Sequence, residues 1–315
     1  MSASGGQSGT VLSVNMSTEK GTQKRPVDEI TIDELGIAGD AHAGPWHRQV
    51  TLLAQERIDA FASKGGIEVS PGDFAENMTT EGMDLRQVAV LDTIEAGGAV
   101  FEVTQIGKEC HGDACAIFRQ VGKCLMPTEG IFCRTVTGGR IRPGDAVIHT
   151  PRPFRALVIT MSDRASRGEY EDVSGPKVEQ MLAAFLEPKR WHGEVTRRLL
   201  PDDADALAAQ LASARDSGVD VVVVTGGTGV GPRDVTPDVV RSLAAKEIPG
   251  IMEHIRLKYG AEKPRALLSR SVAAVMERTL LYAIPGSSRA AAEYMAEILK
   301  TLEHLVFMLH GLDVH

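Results

Sequence analysis

Apolar positions follow two different rhythms along the chain. Up to about residue 150 they form short runs, at 10–16, 49–53, 99–106 and 146–149, separated by Gly-Asp or Gly-Gly pairs at 39–40, 65–66, 72–73, 97–98, 138–139 and 144–145. Short runs cut by turn dipeptides predict strands, and only 54–64 reads as a helix. Beyond residue 155 strand and helix alternate. The run 156–161 is followed by Val178, Met181, Leu182 and Phe185 at helical spacing, after Ser174 and Pro176 as a cap-like start. An Ala- and Leu-rich helix follows Asp202-Asp203 and ends near Gly218; 219–224 is a buried strand; Thr236, as N-cap, and Pro237 open another helix; 279–284 is a strand; and 289–309 is a long amphipathic helix. Repeated strand-then-helix units predict a mostly parallel sheet covered on both faces. Between the two rhythms, Thr150-Pro-Arg-Pro-Phe154 reads as an extended linker, dividing the chain into 1–150 and 155–315.

Length and charge sharpen this division. A chain of 315 residues has room for two cores. The excess of 42 acidic over 34 basic residues has the wrong sign for a nucleic-acid binder, and 4% aromatic residues are few for a base-stacking platform. No apolar window approaches the roughly 18 residues of a membrane span, so a cytoplasmic protein is expected. Most of the net charge of −8 sits in the first 150 residues, with 13 basic and 20 acidic side chains against 21 and 22 in the rest. All four cysteines, Cys110, Cys115, Cys124 and Cys133, also lie in that half.

The strongest chemical signal is Val221-Val-Val-Val-Thr225 running into Gly226-Gly227-Thr228-Gly229, then Arg233-Asp234-Val235-Thr236-Pro237. A buried strand that ends in glycines and is followed by a helix start turns backbone N–H groups and a helix dipole toward one point, which suits an anion. The spacing is neither a P-loop nor a dinucleotide turn. In a parallel sheet Asp202 and Asp234 fall at the same edge, a pair of carboxylates suited to Mg²⁺ on a phosphate ligand. One of Asp202 and Asp203 can cap the next helix and leave the other free. A glycine turn that holds nothing is the alternative. Ser162-Asp163 and Pro285-Gly286-Ser287 follow two further strands at that edge.

These residues, Ile159-Thr-Met-Ser-Asp-Arg164, Leu200-Pro-Asp202, the stretch 225–237, Leu268-Ser-Arg270 and Ile284-Pro-Gly-Ser287, closely resemble the MogA/MoaB family of molybdenum-cofactor biosynthesis proteins. The resemblance covers nearly all of 155–315. It implies a typically trimeric, Mg²⁺-dependent enzyme that joins molybdopterin to AMP from ATP and releases pyrophosphate. Asp202 and Asp234 are then the catalytic, metal-holding aspartates, and Ser162, Asp163, Gly226, Gly227, Thr228, Gly229, Arg233, Thr236, Ser269, Arg270, Pro285, Gly286 and Ser287 line the nucleotide and pterin pocket. Arg270 and the loop amides are expected to hold oxyanions. The Pro-Gly-Ser-Ser turn is that of MoaB-like members, so a pterin carrier or scaffold without transferase activity is the rival reading.

The cysteines are spaced C-x₄-C-x₈-C-x₈-C, wider than zinc knuckles, which favours buried thiols for Cys124 and Cys133 over a zinc or Fe–S site. Cys110 differs, because Lys108 and His111 flank it and cationic neighbours favour a thiolate. The segments Gly36-Ile-Ala-Gly-Asp40, Trp46-His-Arg-Gln-Val50, Pro71 to Met78, Glu102-Val-Thr-Gln105 with Cys110, and Gly139 to Asp145 resemble a MOSC domain. That resemblance implies a β-barrel-like fold, a sulfur-transfer or cofactor-binding role with Cys110 as its cysteine, and an anion site using His42, His47 and Arg48. The joint expectation is a multidomain chain, a β-rich MOSC domain plus an α/β domain. It would handle molybdopterin, ATP and the molybdenum or tungsten cofactor without pyridoxal phosphate, with a sulfur donor or a metal-insertion partner.

Overall fold

The computed structural model describes residues 6–108 and 124–312. The chain divides into two compact units, residues up to Arg152 together with Arg190–His192, and Pro153–Lys189 with the residues from Gly193 onward.

The first unit is a closed β-barrel. Strands Ala146–Thr150, Thr93–Ala96, Ala99–Ile106, Ile131–Thr137, Val50–Ala54, Met78–Glu81 and Gln7–Met16 follow one another around it, and Gln7–Met16 pairs back with Ala146–Thr150 to close it. Closure leaves no edge among these strands. Alternate residues point inward, so Val11, Leu52, Met78, Phe101, Val103, Ile131 and Val147 form a core of aliphatic and aromatic side chains. Cys133 belongs to this core, fully buried, and burial pushes its thiol well above the usual range. The helix expected at 54–64 is present as Gln55–Gly65.

The second unit is a sheet of six strands in the order His192–Leu200, Pro153–Met161, Val221–Thr225, Thr279–Ile284, Val272–Met276, Lys246–Glu247. Its centre is parallel, with Thr160, Thr225 and Ile284 in register, but Val272–Met276 and Lys246–Glu247 join antiparallel. The sheet is therefore mixed. The antiparallel part arises because Val272–Met276 turns straight back into Thr279–Ile284 through Glu277, at φ 54°, leaving no length for a crossover helix. Leu157, Ile159, Val222, Val224 and Leu281 face one layer with Leu207, Leu211 and Val240 of helices Ala204–Asp216 and Thr236–Leu243. Helices Ser174–Leu186 and Ser288–Leu309 pack together and reach the sheet's strands. The Pro-Arg-Pro stretch is shorter than the expected linker: Pro153 already heads a strand, a position where a missing N–H breaks no ladder.

Candidate functional site

The parallel strands deliver their loops to one edge of the second unit. Ser162 N–H donates to Leu200 O (2.9 Å), so Asp202 arrives there too. Gly226 N–H donates to Ile284 O (3.0 Å) and Thr225 Oγ1 to Pro285 O (2.9 Å), which ties the glycine loop to the Pro285-Gly286 turn. Gly226 has φ 105°, and a Cβ there would meet Met161 O at 2.3 Å. A Cβ on Gly229 would lie 2.6 Å from Asp234 Oδ2. Backbone bars a side chain at Gly226, and one at Gly229 would displace the Asp234 carboxylate, so the loop keeps its backbone bare.

The acidic pair at 202–203 separates by role. Asp203 is the N-cap of Ala204–Asp216, accepting from Ala206 N–H (2.8 Å), and this frees Asp202. Asp202 Oδ2 accepts from Asp163 N–H, and Asp163 Oδ1 accepts from Asp202 N–H, both at 3.1 Å. Asp234 Oδ2 accepts from Gly231 N–H (2.8 Å). Each of Asp202 and Asp234 thus spends one oxygen on fixing its loop and keeps Oδ1 without a hydrogen-bond partner among the described residues.

Both aspartates line a polar cleft of about 500 Å³ with Ser162, Gly226, Gly227, Thr228, Gly229 and Gly286. A second cavity of about 600 Å³, an apolar slot walled by Pro264, Leu268, Pro285 and Ala290 and also lined by Ser269 and Ser287, shares Thr228 and Gly229 with the cleft. A ligand with a phosphate end and a flat ring end would find both environments within reach of one loop. Tyr170, Glu171 and Asp172 line the cleft as well, and sequence reasoning passed over them. The signal for Asp172 was its place two residues before Ser174: its carboxylate accepts from Ser174 Oγ, Gly175 N–H and Thr160 Oγ1, so Asp172 holds the helix start expected of Ser174.

Four expected pocket residues, Asp163, Arg233, Thr236 and Arg270, line neither cavity. Arg233 pairs with the Asp163 carboxylate and donates to Asp202 O. Thr236 is the first helical residue rather than the N-cap, which is Val235; its hydroxyl is buried behind Gly227 without a partner among the described residues. Arg270, expected to hold oxyanions, turns its guanidinium into the loop: Nε donates to Gly229 O (2.7 Å), one terminal nitrogen donates to Asp234 O, and the other to the Asp238 carboxylate (2.9 and 3.0 Å). Its N–H also donates to Thr228 O (2.9 Å), so Arg270 braces the loop instead of facing a ligand. Ser162 and Ser287 act as helix caps, and Ser269 Oγ donates to Thr228 Oγ1 (3.2 Å).

In the first unit Cys110, Cys115 and His111 lie outside the described residues. The segment around Asp40 is described and is built on a buried ion pair. Lys24 Nζ donates to both Asp40 oxygens (2.7 Å each), and Ser17 N–H, His42 N–H and Asn77 Nδ2 donate to the same carboxylate. Burial opposes the charge on Asp40, but the hydrogen bonds from His42 and Lys24 outweigh it and hold the carboxyl well below the usual range. His42 stacks on Trp46, and the Arg48 guanidinium lies 5.0 Å from that ring. The same unit holds a His₂Asp group, Asp92, His149 and His192. Gln7 argues against a metal there. Asp84 N–H donates to its Oε1 and its Nε2 donates to Asp84 O, so Nε2–H faces His149 Nδ1 (3.3 Å). The His149 proton is thereby assigned to Nε2, 2.6 Å from Asp92 Oδ2, which makes Asp92 a hydrogen-bond hub.

Comparison with known proteins defines the class first. The family model described as "Probable molybdopterin binding domain" matches residues 157–304, and the one described as "MOSC domain" matches 39–148. The second unit carries the relatives: molybdopterin adenylyltransferase of Helicobacter pylori strain J99 is 32% identical over 49% of this chain and 86% of its own length. Molybdenum cofactor biosynthesis protein B of Staphylococcus epidermidis is 35% identical over 52% of this chain and 93% of its own. The chain therefore belongs to the MogA/MoaB family of molybdenum-cofactor biosynthesis proteins, with a MOSC domain in the same polypeptide. It is also 35% identical to the molybdenum cofactor biosynthesis bifunctional protein of Synechococcus elongatus, of which it spans 48%.

Proposed function

We propose that the second unit is a molybdopterin adenylyltransferase. The observation that carries this reading is the polar cleft in which Asp202 and Asp234 each keep an oxygen without a hydrogen-bond partner among the described residues, beside the bare amides of Gly227 to Gly229. The phosphate of molybdopterin would attack the α-phosphorus of ATP. A new P–O bond forms as the bond from the α-phosphorus to the pyrophosphate oxygen breaks, and pyrophosphate leaves. No protein nucleophile is needed, so the site works by positioning and by stabilising charge. The loop amides would hold phosphoryl oxygens, and the Asp163 and Arg270 contacts keep the two aspartates and the loop in place.

The chemistry of the cleft fits Mg²⁺. Its lining carries Glu171, Asp172, Asp202 and Asp234 and neither Lys nor Arg, so a triphosphate entering alone would meet only like charge. Asp202 and Asp234 would hold the ion, which supplies the positive charge that neutralises phosphate oxygens.

The MOSC resemblance supports a role for the first unit in binding the cofactor or passing sulfur through Cys110, and tethering it to the second unit would raise the local concentration of a shared ligand. We place the chain in the cytoplasm as a trimer. Among the described residues no helix is long and apolar enough to cross a membrane. The test is to incubate the full chain with ATP, Mg²⁺ and molybdopterin and to score pyrophosphate and adenylated pterin. Both products in equal amounts are expected. Molybdopterin binding without either product would make the chain a carrier and overturn this reading.

A further inference from the structure

The two aspartates of the cleft come from strands that do not touch. His192–Leu200, which leads to Asp202, and Val221–Thr225, which leads to Asp234, flank Pro153–Met161 on opposite sides, so no ladder of hydrogen bonds sets the separation of the two carboxylates. Asp202 is fixed locally, because Asp163 and Asp202 each accept from the other's N–H (3.1 Å). Asp234 sits in a tight turn, where its own N–H donates to Gly231 O (3.0 Å) and Val235 N–H donates to Arg233 O (3.1 Å), so Arg233 and Asp234 move as one piece.

Arg233 joins these two assemblies. One terminal nitrogen of its guanidinium pairs with Asp163 Oδ2 and also donates to Asp202 O (3.3 Å). Among the described residues no other polar contact links 226–236 to 162–163 or 201–203. Arg270 braces the glycine loop from elsewhere and does not reach the Asp202 loop. The Arg233 side chain is 65% exposed, so its ion pair adds little to stability. Its consequence is geometric: Mg²⁺ tolerates little departure from octahedral geometry, and two carboxylates from separate loops hold it well only at a fixed separation.

We propose that Arg233 is a positioning residue for the metal-holding pair, tying the glycine loop to Asp163 and Asp202 and thereby setting the affinity of the cleft for a divalent cation. This rests on the transferase reading, in which Asp202 and Asp234 hold Mg²⁺. Charge alone predicts the opposite sign, since a guanidinium beside two carboxylates repels an incoming cation.

The test is titration of the full chain with Mn²⁺ alone, followed by the relaxation of water protons, with the Asp202→Ala/Asp234→Ala double variant marking the binding that belongs to the cleft. Arg233→Met should lower cleft affinity for Mn²⁺ about 10-fold, as loss of a supporting partner does, with the thermal midpoint level. Asp163→Asn, which breaks the same ion pair from its other end, should lower it similarly, and combining the two should add little. Unchanged or raised Mn²⁺ affinity in Arg233→Met overturns the proposal, as do fully additive losses in the combined variant. A wild-type chain that binds no more Mn²⁺ than the Asp202→Ala/Asp234→Ala variant overturns it together with the metal-holding role of the aspartates, whereas the transferase reading falls only if adenylated pterin and pyrophosphate are absent from the assay above.

Discussion

Asp40 in the first unit and Asp234 in the second both sit in glycine-rich loops, yet they are put to opposite uses. Asp40 is fully enclosed, and Lys24 Nζ, two backbone N–H groups and the Asn77 amide spend both of its oxygens. Asp234 is half-buried, spends one oxygen on Gly231 N–H and keeps the other toward a polar cleft. A carboxylate whose lone pairs are all used can hold a loop together but has little left for a ligand. One with spare lone pairs at a cavity wall can do both. Residue type and a glycine-rich loop are the same in each case; the supply of donors around the carboxylate makes the difference.

This contrast can be broken by exchange of function. The largest effect is expected at the cleft: Asp202→Ala or Asp234→Ala should lower adenylyl transfer about 100- to 1,000-fold, and the pyrophosphate assay would show it. The thermal midpoint should move by only a few degrees. Wild-type activity in either variant would abolish the distinction drawn here.

Lys24→Met should act on stability instead. Removing one partner of a buried pair leaves Asp40 uncompensated and costs about 3–5 kcal/mol, read as a lowered urea midpoint for the first unit. Adding Asp40→Leu should recover much of that loss, because the stranded charge goes with it. A loss that the double variant fails to reduce would mean the pair matters for packing alone.

Arg270→Ala sharpens the comparison on the other side. Without its bonds to Gly229 O, Asp234 O and Asp238 the loop loses its brace, and kcat/KM should fall about 10- to 100-fold. Arg270→Lys should restore little, since an ammonium cannot span three acceptors in a plane. Full rescue by Lys would return Arg270 to the role of a simple positive charge.

The smallest effect belongs to Glu297, whose carboxylate accepts from Lys258 and Lys300 and is held near pKa about 2 against its usual 4.5. Its contribution is therefore complete above pH 4.5 and fades as pH falls from 4.5 toward 2. Glu297→Gln should cost about 1 kcal/mol or less at pH 7, and the gap to wild type in denaturant titrations should close in acid. A gap that persists at low pH would point to packing rather than charge.

Much of this layout is readable from local pattern. The runs at 156–161, 219–224 and 279–284 are short, apolar and β-branched, so burial on both faces already selects strands, and they appear as Pro153–Met161, Val221–Thr225 and Thr279–Ile284. Of the strand His192–Leu200 only the end was readable, from Leu199-Leu200 before Asp202, because an exposed edge strand with two arginines has no alternation to betray the rest. Val272–Met276 was missed for another reason: a five-residue apolar run with two alanines has no clear period.

The candidate site divides along the same line. The glycines, the free aspartate of the 202–203 pair and the bare loop at the end of a buried strand follow from residue type and order, since a tight turn demands Gly and a helix start demands a cap. The local sequence of Arg270, Arg233 and Thr236 could not reveal where their polar atoms point. Arg270 lies 36 positions beyond Asp234 yet donates to its carbonyl, and Tyr294 lies 66 beyond Thr228 and lines the same slot. Hydrogen-bond direction and the pairing of distant loops depend on how the chain folds back on itself. Order and residue type place the loops at one edge of the sheet; packing then settles which of their side chains brace the site and which remain free to meet a ligand.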